Sequence, residues 1–173
     1  MYKRQLHFKA PEEWTIISNG PVTWEGDVAS TAIDYPLSTY LVALCAGPYH
    51  EVTDTWRGEL TAHPEGKPAQ KLEVPLGIYC RASLAHALDA ERLFTETKQG
   101  FDFYHRNFGF PYPFGKYDQI FVPEFNAGAM ENAGCVTIRD EYVFTSQATH
   151  YKYERRADTC LLYTSDAADE RSS

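Results

Sequence analysis

The chain has 173 residues, 43% of them apolar and 14% aromatic, which is enough to build a core and excludes a disordered chain. A formal charge of -8 disfavours nucleic acid as a partner, whose expected footprint is a basic patch, and suits a site that receives cationic amines. No apolar run approaches the roughly 20 residues that a membrane-spanning helix needs.

Up to about Tyr49 the chain holds short runs of strand-favouring residues, such as Trp14-Thr15-Ile16-Ile17-Ser18 and Thr39-Tyr40-Leu41-Val42-Ala43-Leu44. Asn19-Gly20-Pro21 lies between them and is a strong local turn signal, so this half reads as antiparallel strands. Residues 61–71, with His63, Pro64, Gly66, Lys67 and Pro68, read as a connecting loop, and a domain boundary is placed near residue 70. Leu72-Glu73-Val74-Pro75-Leu76-Gly77-Ile78-Tyr79-Cys80 follows as a strand. From Ser83, a candidate N-cap, Leu84, Ala87, Leu88, Leu93, Phe94, Phe101 and Tyr104 recur at helical spacing. They predict a core-packing helix or helix pair, broken by Gly100 and ended near Gly109. Phe110-Pro111-Tyr112-Pro113-Phe114 cannot be helical, while Gln119-Ile120-Phe121-Val122 and Cys135-Val136-Thr137-Ile138 read as partner strands. The fold class is α+β.

Between those two strands one acid sits in a glycine-flanked turn, Gly128-Ala129-Met130-Glu131-Asn132-Ala133-Gly134. Glycines allow close approach to the main chain, so such a turn can present a carboxylate to a cationic ligand. An ordinary hairpin turn with a solvated Glu131 is the other reading of the same residues. Cys45, Cys80 and Cys135 are widely spaced and form neither a zinc ligand set nor a disulfide framework; unpaired cysteines make the cytoplasm the expected location.

Gly128-Ala129-Met130-Glu131-Asn132 resembles the exopeptidase motif G-A-M-E-N of the M1 family of zinc aminopeptidases, its bacterial members most. The likeness continues through Tyr112-Pro113-Phe114-Gly115-Lys116-Tyr117-Asp118 and Cys135-Val136-Thr137-Ile138-Arg139-Asp140-Glu141. The resemblance implies that Glu131 holds the free α-amine of a peptide substrate. It also implies that the backbone of Gly128 and Ala129 hydrogen-bonds the substrate as an added strand, and that Asn132 belongs to the same substrate-binding segment. Met130 either lines the pocket for the first side chain or fills the core. Further implications are one zinc ion in the full-length protein, the end of a β-rich N-terminal domain over residues 6–70, and the start of a thermolysin-like peptidase domain over residues 71–159. Expected partners are peptides with a free N-terminus.

The family also needs H-E-x-x-H, two metal-binding His one helical turn apart with a water-activating Glu between them. It does not occur in this sequence, so no catalytic or metal residue is assigned. His7, His50, His63, His86, His105 and His150 lack that pairing and read mostly as surface or packing residues; His150 alone precedes the expected metal helix. In the family the motif follows shortly after a segment like Tyr153-Glu154-Arg155-Arg156-Ala157-Asp158-Thr159, and there this sequence departs. The codons TGT CTC TTA TAC ACA TCT GAC GCT GCC GAC encode residues 160–169, and GTG TAT AAG AGA CAG would encode residues 1–5. The second string is the reverse complement of part of the first, as in a transposase-based sequencing-library adapter. Residues 1–5 and 160–173 are therefore set aside as adapter-like, and the isolated chain is expected to be inactive. Two rivals remain: an M1 relative that also opens an epoxide, which tends to carry Gly where Ala129 stands, and a non-catalytic amine-binding member.

Overall fold

In this computed structural model residues 2–60, 66 and 68–142 are described. The strands are β1 (Tyr2–Lys9), β2 (Thr15–Ser18), β3 (Val22–Glu25), β4 (Val28–Leu37), β5 (Leu44–Gly47), β6 (Tyr49–Leu60), β7 (Gln70–Arg81), β8 (Tyr117–Val122), β9 (Ala129–Met130) and β10 (Cys135–Arg139), and the helix is α1 (Ala90–Phe108). They form a three-stranded sheet β1-β4-β3, a two-stranded sheet β2-β5, and a five-stranded sheet β6-β7-β8-β10-β9. Among the described residues, mostly β structure with one α-helix fits the α+β class.

Alternation of side chains across the pleat decides what each face of the large sheet packs against. Val74, Leu76, Ile78 and Cys80 of β7, Tyr117 and Phe121 of β8 and Val136 and Ile138 of β10 pack with Leu93, Phe94 and Phe101 of α1. On the opposite face Tyr79, Ile120 and Cys135 meet Ile17 of β2 and Ala43. Gln119, on the helix side of β8 and fully buried, donates to Thr97 Oγ1 of α1 at 2.8 Å, so its amide is not left unpaired there.

Several sequence expectations need correcting. The α-helix is capped by Asp89, whose carboxylate accepts from the Arg92 N–H at 3.3 Å; Ser83 lies in a 3-10 turn, Ala82–Ala87. Gly100 does not break the helix, because a buried glycine costs only about 1 kcal/mol and flanking Leu93, Phe94 and Phe101 are anchored in the core. The end near Gly109 is as expected, with φ 68°, the left-handed C-cap that glycine adopts without strain.

The run from Thr39 to Leu44 is not one strand: a 3-10 turn covers Thr39–Leu41 and β5 begins at Leu44. Side chains supply the partners that a neighbouring strand would have given. The Asn19 amide donates to Leu41 O (2.9 Å) and accepts from Ala43 N–H (2.8 Å), and Ser18 Oγ donates to Ala43 O (2.7 Å).

This half is antiparallel as expected, β2 pairing with β5 and β3 with β4, and Asn19-Gly20-Pro21 lies between β2 and β3. The segment carries the chain from one sheet to another. β8 and β10 are parallel, not hairpin partners. Residues 123–134 form the long connection that parallel strands require, and β10 turns back from β9 to insert between β9 and β8.

β6 and β7 pair without interruption from Tyr49↔Arg81 to Leu60↔Gln70. β1 runs through residues 2–5, with a register irregularity between Tyr2 and Arg4. Residues 61–65, with His63 and Pro64, and Lys67, His150, residues 151–159 and residues 160–173 lie outside the described residues.

Candidate functional site

β9 puts the motif on the outer edge of the five-stranded sheet. Ala129 pairs with Ile138 and Met130 with Thr137, and the Arg139 N–H donates to Gly128 O at 2.9 Å. Antiparallel pairs alternate between bonded and non-bonded residues. Gly128 opposite Arg139 is bonded, so Ala129 is the non-bonded residue and its N–H and C=O point away from β10, toward the edge that no described strand covers. The Ala129 side chain is buried in the helix-side core, whereas Met130, on the other face, is half-buried and outside the clusters of buried residues.

Gly128 is needed for a reason the sequence did not show. A Cβ there would lie 2.5 Å from the Tyr142 hydroxyl, so the Tyr142 ring occupies the space that glycine leaves. Tyr142 follows β10 in a short 3-10 turn, Asp140–Tyr142, and Asp140 is tied to Arg81 of β7 by an ion pair at 2.8 Å.

Glu131 is half-buried at the start of the turn from β9 to β10, and among the described residues no hydrogen bond or ion pair engages its carboxylate. The turn around it is closely held. Asn132 is buried, its carbonyl accepts from the Cys135 N–H (2.9 Å), and its Oδ1 accepts from Thr137 Oγ1 (3.1 Å). Ala133 O accepts from Asn19 Nδ2 at 2.8 Å and lies 3.2 Å from Tyr35 Oη. Gly134 has φ 71°, and a Cβ on it would lie 2.7 Å from Asn19 O. Gly134 O accepts from the Asp118 N–H at 3.2 Å. Burial, with the neighbouring Cys135 thiol, pushes the Tyr35 hydroxyl up to about 12, so it stays a protonated donor.

Beyond the turn, Asp118 forms a buried ion pair with Lys116. Burial raises the Asp118 carboxyl and the Lys116 ammonium opposes that rise. The pair borders a cavity of about 810 Å³ between β2 and the large sheet, lined also by Trp14, Trp24, Glu51 and Tyr79. No residue of the 128–132 motif lines it. A strand edge and a carboxylate that no described residue engages mark the motif as the better candidate.

Among the described residues no three His, Cys, Asp or Glu side chains come together as a metal site. The described residues alone do not make a zinc site. His105 is a packing residue, its Nδ1 donating to Phe101 O at 2.6 Å and its Nε2 accepting from the Tyr112 N–H at 3.1 Å. Of the expected substrate-binding residues, Gly128, Ala129, Met130, Glu131 and Asn132 are contiguous on this edge and turn. Asn19, Tyr35 and Tyr142 escaped the sequence reading.

Residues 93–161 match the Peptidase family M1 domain. Across 158 residues, 91% of the chain, it is 52% identical to aminopeptidase N of Streptomyces lividans. The chain belongs to the M1 peptidase family. M1 relatives further away include glutamyl aminopeptidase of Sus scrofa, 34% identical over 136 residues and 75% of the chain. Aminopeptidase N of Mus musculus is 35% identical over 91 residues and 52% of the chain. The chain spans 17% of the Streptomyces protein, 13% of the pig protein and 9% of the mouse protein.

Proposed function

We propose that this chain is part of a zinc-dependent M1 aminopeptidase that hydrolyses N-terminal amino acids from peptides, and that Glu131 holds the substrate's α-ammonium. The observation that carries this is a half-buried carboxylate beside a strand edge, neither of them engaged by any described residue. A partly buried carboxylate without a cation has lost hydration, so an incoming ammonium gains a charge-assisted hydrogen bond. The outward N–H and C=O of Ala129 supply the two bonds that would hold a peptide as an added strand. Together they set register: with the amine fixed at Glu131, the first peptide bond is the one presented for cleavage. Met130, outside the core clusters, would contact the first side chain, and Asn132 would shape the turn rather than grip the substrate.

Residues 71–159 are then the opening of a thermolysin-like peptidase domain that follows the end of a β-rich domain over residues 6–70. Zinc, in the longer protein, would activate water and polarise the carbonyl. The proposed substrates are peptides with free N-termini and the proposed location is the cytoplasm.

The test has two arms. DNA from the source, read across the codon for Thr159 with a transposase-free library, should continue into H-E-x-x-H. The full-length product should cleave an alanine anilide in a zinc-dependent way, with kcat/KM falling about 10- to 100-fold in Glu131→Gln, as expected for losing a hydrogen bond to a charged group. A genome that stops at Ser173, or a Glu131→Gln enzyme with unchanged kcat/KM, defeats the reading.

A further inference from the structure

We infer that Asn19, acting through Ala133 with help from Tyr35, is a positioning residue for the amine-binding Glu131; this rests on the functional reading above. Asn19 lies 114 positions from Ala133 in sequence and belongs to the first, β-rich part of the chain. It is 2% exposed, and three hydrogen bonds engage its amide. One N–H is given to Leu41 O, the other to Ala133 O, and Oδ1 receives the Ala43 N–H. An asparagine whose donors and acceptor are fixed in this way cannot rotate without leaving a buried polar group unpaired.

Ala133 is two residues after Glu131, inside the turn that aims it. Its carbonyl faces both the Asn19 amide and the Tyr35 hydroxyl, and the Tyr35 hydroxyl also lies 3.3 Å from Asn19 O. Tyr35 is itself fixed by its ring contact with Phe114, 4.7 Å between centroids. A glycine brings the two backbones together: a Cβ on Gly134 would lie 2.7 Å from Asn19 O. The edge strand β9 is two residues long and cannot hold the turn alone. Asn19 and Tyr35 therefore clamp it from the preceding β part of the chain, and the direction of Glu131 depends on that clamp.

The experiment uses the full-length enzyme and compares alanine anilide with propionanilide, its counterpart without the α-amine. The ratio of their kcat/KM values reports amine recognition, and a general loss of folded protein leaves it unchanged. Asn19→Ala should lower the ratio about tenfold and Tyr35→Phe, which keeps the ring on Phe114, about threefold, matching the loss of neutral hydrogen bonds. In Glu131→Gln the ratio should fall furthest, and adding Asn19→Ala should lower it no further, because both changes act on one interaction. If Glu131→Gln lowers the ratio while Asn19→Ala and Tyr35→Phe reduce both substrates equally, the clamp is only structural and the inference is overturned. If Glu131→Gln itself leaves the ratio intact, the amine-binding reading falls and the inference with it. Should Asn19→Ala not fold, Tyr35→Phe decides through the same carbonyl.

Discussion

The centre of the large sheet and its β9 edge are held in different ways. At the centre, β7, β8 and α1 are joined by apolar area: Ile78 and Phe121 are fully buried and interlock with Leu93 and Phe101. At the edge, the turn carrying Glu131 has one small apolar anchor, Ala133, and is fixed mainly by directed bonds from Asn19, Tyr35, Thr137 and Asp118. Apolar packing tolerates rearrangement and gives stability, whereas hydrogen bonds of fixed direction give aim. The amine-binding role proposed for Glu131 needs the second.

Substitutions should separate the two regions, and the largest effect belongs to the centre. Phe121→Ala should cost about 3–5 kcal/mol, seen as a lowered unfolding midpoint in denaturant, because it removes a fully buried ring between β8 and α1. Gly134→Ala should be smaller in stability, about 1 kcal/mol or somewhat more, since φ 71° is strained for alanine and its methyl would press on Asn19 O. Its loss of activity should exceed its loss of stability, the reverse of Phe121→Ala, when kcat/KM and unfolding are measured side by side. Equal ranking of the two variants in both measurements would erase the distinction between the regions.

A pH scan sharpens the comparison where the regions meet. Burial raises the Asp118 carboxyl above its ordinary value of 3.8, with Lys116 opposing the rise. The folded state then binds a proton that the unfolded state has released, so this group's contribution to stability falls as pH rises from its ordinary range through its raised one. Asp118→Asn should flatten that part of the stability curve, and a steeper fall would mean that Lys116 dominates. The smallest effect is at the rim: Lys9→Ala breaks an ion pair with Asp27 whose side chains are both 71% exposed and should change stability by less than about 0.5 kcal/mol.

Much of the centre was legible in the sequence because it follows local periodicity. Leu93, Phe94 and Phe101 marked α1, and Leu72 to Cys80 marked β7. The edge was legible only as a motif. Its support was hidden, since Asn19-Gly20 carries the local signature of an exposed hairpin turn and nothing near it announces a partner at Ala133. Tyr142 was equally silent, because the space it fills is visible only as the missing side chain of Gly128. That β8 and β10 are partners was legible but their parallel direction was not: two apolar runs flanking glycines look the same whether the link between them is a tight turn or carries an edge strand of its own.

Amine recognition by Glu131, as proposed, is tested most directly without catalysis. Alaninamide and propionamide, differing by the α-amine, can be titrated calorimetrically into the full-length protein and its Glu131→Gln variant. Binding of alaninamide alone, weakened about tenfold or more in Glu131→Gln as for a lost charged hydrogen bond, is the predicted result. Equal binding of both amides, or alaninamide affinity unchanged in the variant, contradicts the account.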